Sequence, residues 1–131
     1  MRRIVDAPFP PNPGRSLPFS AAVVAAGLCF VAGQFGTDED NRPVGDVEAQ
    51  TRLALDHLAA VLEKAGTRLD LVVRVTVFLR SLDDFAAMNR PYRARFPHDP
   101  PARVTIGVAD LLFGAAVELE AIAAMPSPAR I

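Results

Sequence analysis

The stretch LVVRVTVFLRSLDDFAAMNRPYRARF, residues 71–96, changes period partway along, and that change decides the fold. Leu71, Val73, Val75, Val77 and Leu79 alternate with Val72, Arg74, Thr76, Phe78 and Arg80. A period of two predicts a strand with one apolar and one mixed face. From Ser81 the spacing becomes three and four: Phe85, Met88, Tyr92 and Phe96 predict a helix with an apolar stripe. Ser81 is placed to cap that helix, with Asp84 completing a capping-box pattern. Pro91 predicts a bend or fraying in its later half.

The same reading extends in both directions. Upstream, a helix is expected from Val47 to Ala65, with Asp46 as N-cap, Glu48 favouring its positive end and Gly66 as its stop. Ala54, Leu55, Leu58, Val61, Leu62 and Ala65 recur at helical spacing and predict its buried face, while His57 falls off that face and reads as solvated. Before it, FSAAVVAAG from Phe19 and LCFVAGQ (28–34) read as strands joined by a turn near Ala26 and Gly27, and 36–45 reads as a polar loop. Prolines 8, 10, 11, 13 and 18 predict an irregular segment over 1–16, with a short strand near Ile4. Downstream, ARVTIGV (102–108) and VELEAIAA (117–124) read as two more strands. Helices crossing between strands imply an α+β fold: one mixed sheet with two helices on one face. The whole chain, 1–131, reads as one domain.

Composition narrows the function. Fourteen basic against fifteen acidic residues give a net charge of −1, which argues against nucleic acid as the main partner. With one cysteine, Cys29, and two histidines, the chain predicts no disulfide and no metal site. Cys29 reads as an inert buried thiol. No apolar run approaches the roughly 18 residues of a membrane span, and the start lacks the apolar core of a signal peptide. The expectation is a cytoplasmic protein without membrane contact.

The last two strands carry polar residues that strands seldom carry. Arg103, Thr105 and Gly107 share one parity; Val104, Ile106 and Val108 share the other. Glu118 and Glu120 stand on one face, with Val117, Leu119, Ala121 and Ala123 opposite. This predicts an apolar sheet face for the helices and a second face carrying Arg103, Glu118 and Glu120 beside Arg74 and Thr76. Either that face is wet and its charges pair across strands, or Arg103 and a nearby carboxylate line a cleft for a small anion, which the planar guanidinium can hold bidentately.

Five segments in order make the chain resemble the RidA/YjgF family of reactive intermediate (imine/enamine) deaminases: LPFS followed by LCFVAGQ, DVEAQTRLALDHLAAVLEKAG, VVRVTVFLRSLDDFAAMNRPYRARF, PPARVTIGV and VELEAIA. The resemblance spans about Leu17 to Ala124. It implies a chorismate-mutase-like fold in a homotrimer with clefts between subunits. The local reading alone would pair the strands at 103 and 117 as a hairpin; the family instead places its last strand between those at 28 and 71.

By position, the resemblance implies that Arg103 holds a substrate carboxylate and Glu118 activates water, with Asn89 and Gly33 in the cleft and backbone around Thr105 near the reacting nitrogen. The implied reaction converts 2-imino acids, formed from enamines such as 2-aminoacrylate, to 2-keto acids and ammonia without a cofactor. Phe19 stands for the family's common tyrosine, Ala32 for a serine, Thr105 for a cysteine and Gly107 for a glutamate, so hydroxyls are lost and Gly107 is expected to open space. Glu120 reads as structural. The competing readings are a trimer that senses a 2-keto acid without catalysis, and the ribonuclease or translation-inhibitor activity attached to the family by name.

Overall fold

The structure, a computed structural model, describes residues 1–8 and 17–127, so the prolines at 10, 11 and 13 lie outside the described residues. Eight elements follow in chain order: β1 (Arg3–Val5), β2 (Ala22–Ala25), β3 (Leu28–Phe35), α1 (Val47–Ala65), β4 (Val72–Leu79), α2 (Phe85–Arg95), β5 (Ala102–Gly107) and β6 (Val117–Ala124). They form one six-stranded sheet in the order β1-β2-β3-β6-β4-β5, with α1 and α2 packed on one face. β4 and β5 are parallel across the α2 crossover, and the other pairs are antiparallel. The architecture is the expected α+β sheet. β6 lies between β3 and β4, so the hairpin of 103 with 117 does not form.

α1 begins and ends where its caps dictate. The Asp46 carboxylate accepts from the Ala49 N–H at 2.9 Å, which contributes about 1 kcal/mol. Gly66 turns left-handed at φ 93 and donates back to the last turn. Leu55, Leu58 and Leu62 are fully buried against the sheet with Val75, Val77, Leu79 and Leu119. Each such side chain contributes about 1.5–3 kcal/mol. His57 is half-buried, its Nδ1 2.9 Å from the Phe35 carbonyl, instead of solvated.

The second helix starts later than its periodicity suggests. Ser81 caps a 3-10 turn over Leu82–Asp84, its Oγ accepting from the Asp83 N–H, and the Asp84 side chain makes no capping bond. α2 then runs through Pro91 to Arg95, with Met88, Pro91 and Tyr92 buried. β2 begins at Ala22, and Phe19 lies in a turn before it.

Two bulges set which side chains face the helices. In β4 the register shifts between Val72 and Arg74, so Val72 is buried and Val73 is 47% exposed, against the simple alternation. In β3 the shift lies between Val31 and Gln34, which places Ala32 and Gly33 in the bulge.

Candidate functional site

β5 is the outer strand, and its register with β4 fixes the direction of Arg103. Val75 pairs with Arg103, Val77 with Thr105 and Leu79 with Gly107. Val75, Val77 and Leu79 are fully buried under the helices, so Arg103, Thr105 and Gly107 share the helix-side face. Val104 and Ile106 point to the open face, 41% and 40% exposed. The sequence reading had these two faces reversed. The reason is that an edge strand need not turn its apolar side to its own chain's core.

Arg103 is enclosed on the α2 side. Its guanidinium carbon lies 4.6 Å from the Tyr92 ring centroid and 5.5 Å from that of Phe85, and its Nη1 is 4.0 Å from the Met88 sulfur. Among the described residues no carboxylate pairs with it. Burial pushes the Tyr92 hydroxyl up, opposed by the Arg103 charge beside it. Asn89 is half-buried on α2, one turn from Phe85 and from Tyr92. The space beside Gly107 is not open: a Cβ there would stand 2.9 Å from the Leu82 Cγ.

Glu118 belongs to the other face. Its neighbours Val117 and Leu119 are fully buried toward the helices, so Glu118 and Glu120 project from the open side, opposite Phe78 and Thr76. The Glu118 carboxylate lies on the Gly33 Cα: a Cβ at Gly33 would meet its Oε2 at 2.0 Å. Burial pushes the Glu118 carboxyl up, and the like charge of Glu120 pushes it the same way. Ala32 is half-buried in the same bulge, its N–H donating to the Ala21 carbonyl at 2.9 Å. That bond carries the β2–β3 pairing toward Phe19, which is 67% exposed.

The nominated residues therefore form two groups instead of one. Arg103, Thr105, Gly107 and Asn89 sit at the β5–α2 edge; Gly33, Glu118 and Glu120 sit on the open face with Ala32 in the same bulge, and Phe19 lies exposed in the turn before β2. Arg103 and Glu118, expected on one face, project from opposite faces with β4 between their strands. Phe85 and Met88 beside Arg103, and Leu82 over Gly107, carry no mark of a site in the sequence. The only signal for the first two was their place on the helical stripe.

A family model described as Endoribonuclease L-PSP matches residues 11–125. A protein of Dermatophagoides farinae named 2-iminobutanoate/2-iminopropanoate deaminase is 33% identical over 123 residues, covering 92% of this chain and 94% of its own. Among solved structures, YyfA of Yersinia pestis, from the conserved Rid protein family, is similar with a TM-score of 0.84 at 32% identity, over 95% of this chain and 100% of that one. TdcF of E. coli, solved with bound serine, has a TM-score of 0.79 at 30% identity, over 87% and 93%. Among the described residues no helix is long and apolar enough to cross a membrane. Matched by the family model over most of its length and by relatives above 30% identity, the chain belongs to the endoribonuclease L-PSP family, which its RidA/YjgF motifs also indicate.

Proposed function

We propose that the chain is one domain that assembles as a homotrimer and hydrolyses 2-imino acids to 2-keto acids and ammonia in clefts between subunits. The observation that carries this reading is the opposed placement of two half-sites. An arginine with no carboxylate partner among the described residues stands at one sheet edge, and a carboxylate with a raised pKa stands on the opposite face against a glycine. A second copy would bring the two half-sites together and cover Phe30, Val104 and Ile106, which one chain leaves partly exposed on the open face. The deaminase name of one relative and the serine bound to another support a small carboxylate as ligand.

The chemistry asks for little. Arg103 fixes the substrate carboxylate through paired N–H donors and so orients the C=N carbon. Glu118 passes a proton from the attacking water to the imine nitrogen, giving a carbinolamine, and then passes the hydroxyl proton to nitrogen as the C–N bond breaks and ammonia leaves. Its raised pKa moves it toward working pH, which suits a group that must both accept and donate. Thr105, Asn89 and Phe19 would shape the cleft. The imine is itself electrophilic, so the reading involves no cofactor.

The deciding experiment generates 2-imino acids of several sizes in situ with an amino-acid oxidase and follows their decay. Wild type should speed the decay, releasing keto acid and ammonia one to one. No acceleration, with 2-keto acids still bound, would leave the sensing trimer. RNA cleavage that tracks the protein through further purification and vanishes in Glu118→Gln would favour the nuclease.

The pH profile gives a second expected result. A general base works ionised, so kcat/KM should fall as pH drops through the Glu118 pKa, at a pH above the ordinary glutamate range. Glu120→Gln removes the like charge and should shift that acid limb to lower pH. An acid limb that persists unchanged in the residual activity of Glu118→Gln would remove Glu118 from the role.

A further inference from the structure

We propose that Tyr92 is a positioning residue for Arg103, holding the guanidinium at its ring face so that the charge stays fixed but unneutralised. This rests on the reading of Arg103 as the carboxylate-binding group. A group that captures an anion must meet two conflicting demands. It must be immobilised, or the ligand bears the cost of ordering a long side chain. It must also lack an anionic partner of its own, or the ligand has to displace one.

Three other arginines are held by an anionic partner, and Arg3 and Arg80 spend N–H donors on the Ala65 and Gly114 carbonyls. Arg68 pairs with Asp70, Arg90 with Glu48, and Arg95 with Asp56. Among the described residues Arg103 is held without a carboxylate, by the Tyr92 and Phe85 rings and the Met88 sulfur. The geometry of the two interactions explains why they do not compete. An aromatic ring attracts the flat face of a guanidinium through its quadrupole. A carboxylate takes the in-plane N–H donors at the edge.

The ring, not the hydroxyl, does this. Tyr92 is 6% exposed, and although the Arg103 guanidinium stands near its buried hydroxyl, that oxygen has no hydrogen-bond partner of good geometry among the described residues. A structural tyrosine would be expected to bond through that oxygen. Phenylalanine should therefore replace it without loss of affinity, whereas leucine, of comparable apolar character but with no π face, should not.

The test compares Tyr92→Phe and Tyr92→Leu in imine decay and in calorimetric binding of 2-oxobutanoate, at a temperature where each is folded by circular dichroism. Tyr92→Phe should match wild type. Tyr92→Leu should raise KM and the 2-oxobutanoate Kd by about tenfold, the size of a desolvated cation–π contact, with kcat changed far less. If the leucine variant does not fold, Phe85→Leu replaces it, at a position 45% exposed, with a smaller rise of about threefold expected. Binding by the leucine variant within twofold of wild type, even with a lowered Tm, would overturn the inference.

An optical readout is available because Tyr92 is the only tyrosine in a chain without tryptophan. Saturating 2-oxobutanoate should change the tyrosine emission of wild type and leave that of Arg103→Ala unchanged. No change in wild type at saturation would count against Tyr92 contacting the working arginine. A wild type that neither turns over imines nor binds 2-oxobutanoate would sink the underlying reading of Arg103, a failure distinct from the leucine variant's.

Discussion

Arg103→Ala and Glu118→Gln subunits should each fall to about a hundredth of wild-type imine turnover or less, and co-assembly of the two in equal amounts should restore about a quarter of it. The restoration follows from the sheet. Arg103 leaves β5 on the helix side and Glu118 leaves β6 on the open side, so one chain cannot aim both at one substrate. In a closed ring of three, each cleft would take its arginine from one subunit and its glutamate from the next. Random mixing makes half of the arginines and half of the glutamates wild type, and about one cleft in four receives both. Coexpression with two different tags isolates the mixed ring, in which one cleft of the three would be complete, raising the expected turnover to about a third. Its mass should be about 42 kDa from a 14.0 kDa chain. Mixed rings that form but stay inactive would mean that no cleft draws these two groups from different chains.

That division of the site marks the limit of what the sequence discloses. The elements are legible because local rules govern them: α1 runs from Val47 to Ala65, as Asp46 and Gly66 dictate. Side-chain direction is less legible. The bulge that exposes Val73 leaves no strong mark in a run of valines. On β5 the alternation is legible but its direction is not. Val104 and Ile106 look like core residues, and on a strand inside a monomer they would be; at a sheet edge their apolar side is free to serve another surface. Arg103 and Glu118 stand out in sequence because charge within strands is costly. The cage around Arg103 does not stand out, because it forms between residues 85–92 and 103 only after the β4–α2–β5 crossover is closed. The order of β6 between β3 and β4 likewise came from family resemblance, since the local connection favours a hairpin.

Two glycines three residues apart should fail in opposite ways when each is replaced by alanine. At Gly36 a Cβ would stand 2.2 Å from the Gln50 carbonyl oxygen and 2.3 Å from the Gln50 Cα, atoms of the α1 backbone. Neither can move without shifting the helix, whose Gln50 side chain also ties down the Gly45 carbonyl and the Ala116 N–H. Gly36→Ala should therefore cost about 3 kcal/mol or more and lower Tm by about 10 °C. At Gly33 the new Cβ meets the end of the Glu118 side chain, 2.0 Å from Oε2 and 2.9 Å from Cδ. A carboxylate on a flexible stem can rotate away at small cost, so Tm should stay within about 2 °C of wild type. The rotation takes the carboxylate off its working position, and turnover should fall at least about tenfold, since misplacement by an ångström can cost more than that. Differential scanning fluorimetry and the imine assay, run on both variants, separate the cases. Gly36 would be a contact of the fold and Gly33 a contact of the chemistry. Full activity in Gly33→Ala would show that Glu118 need not rest on the bulge to act.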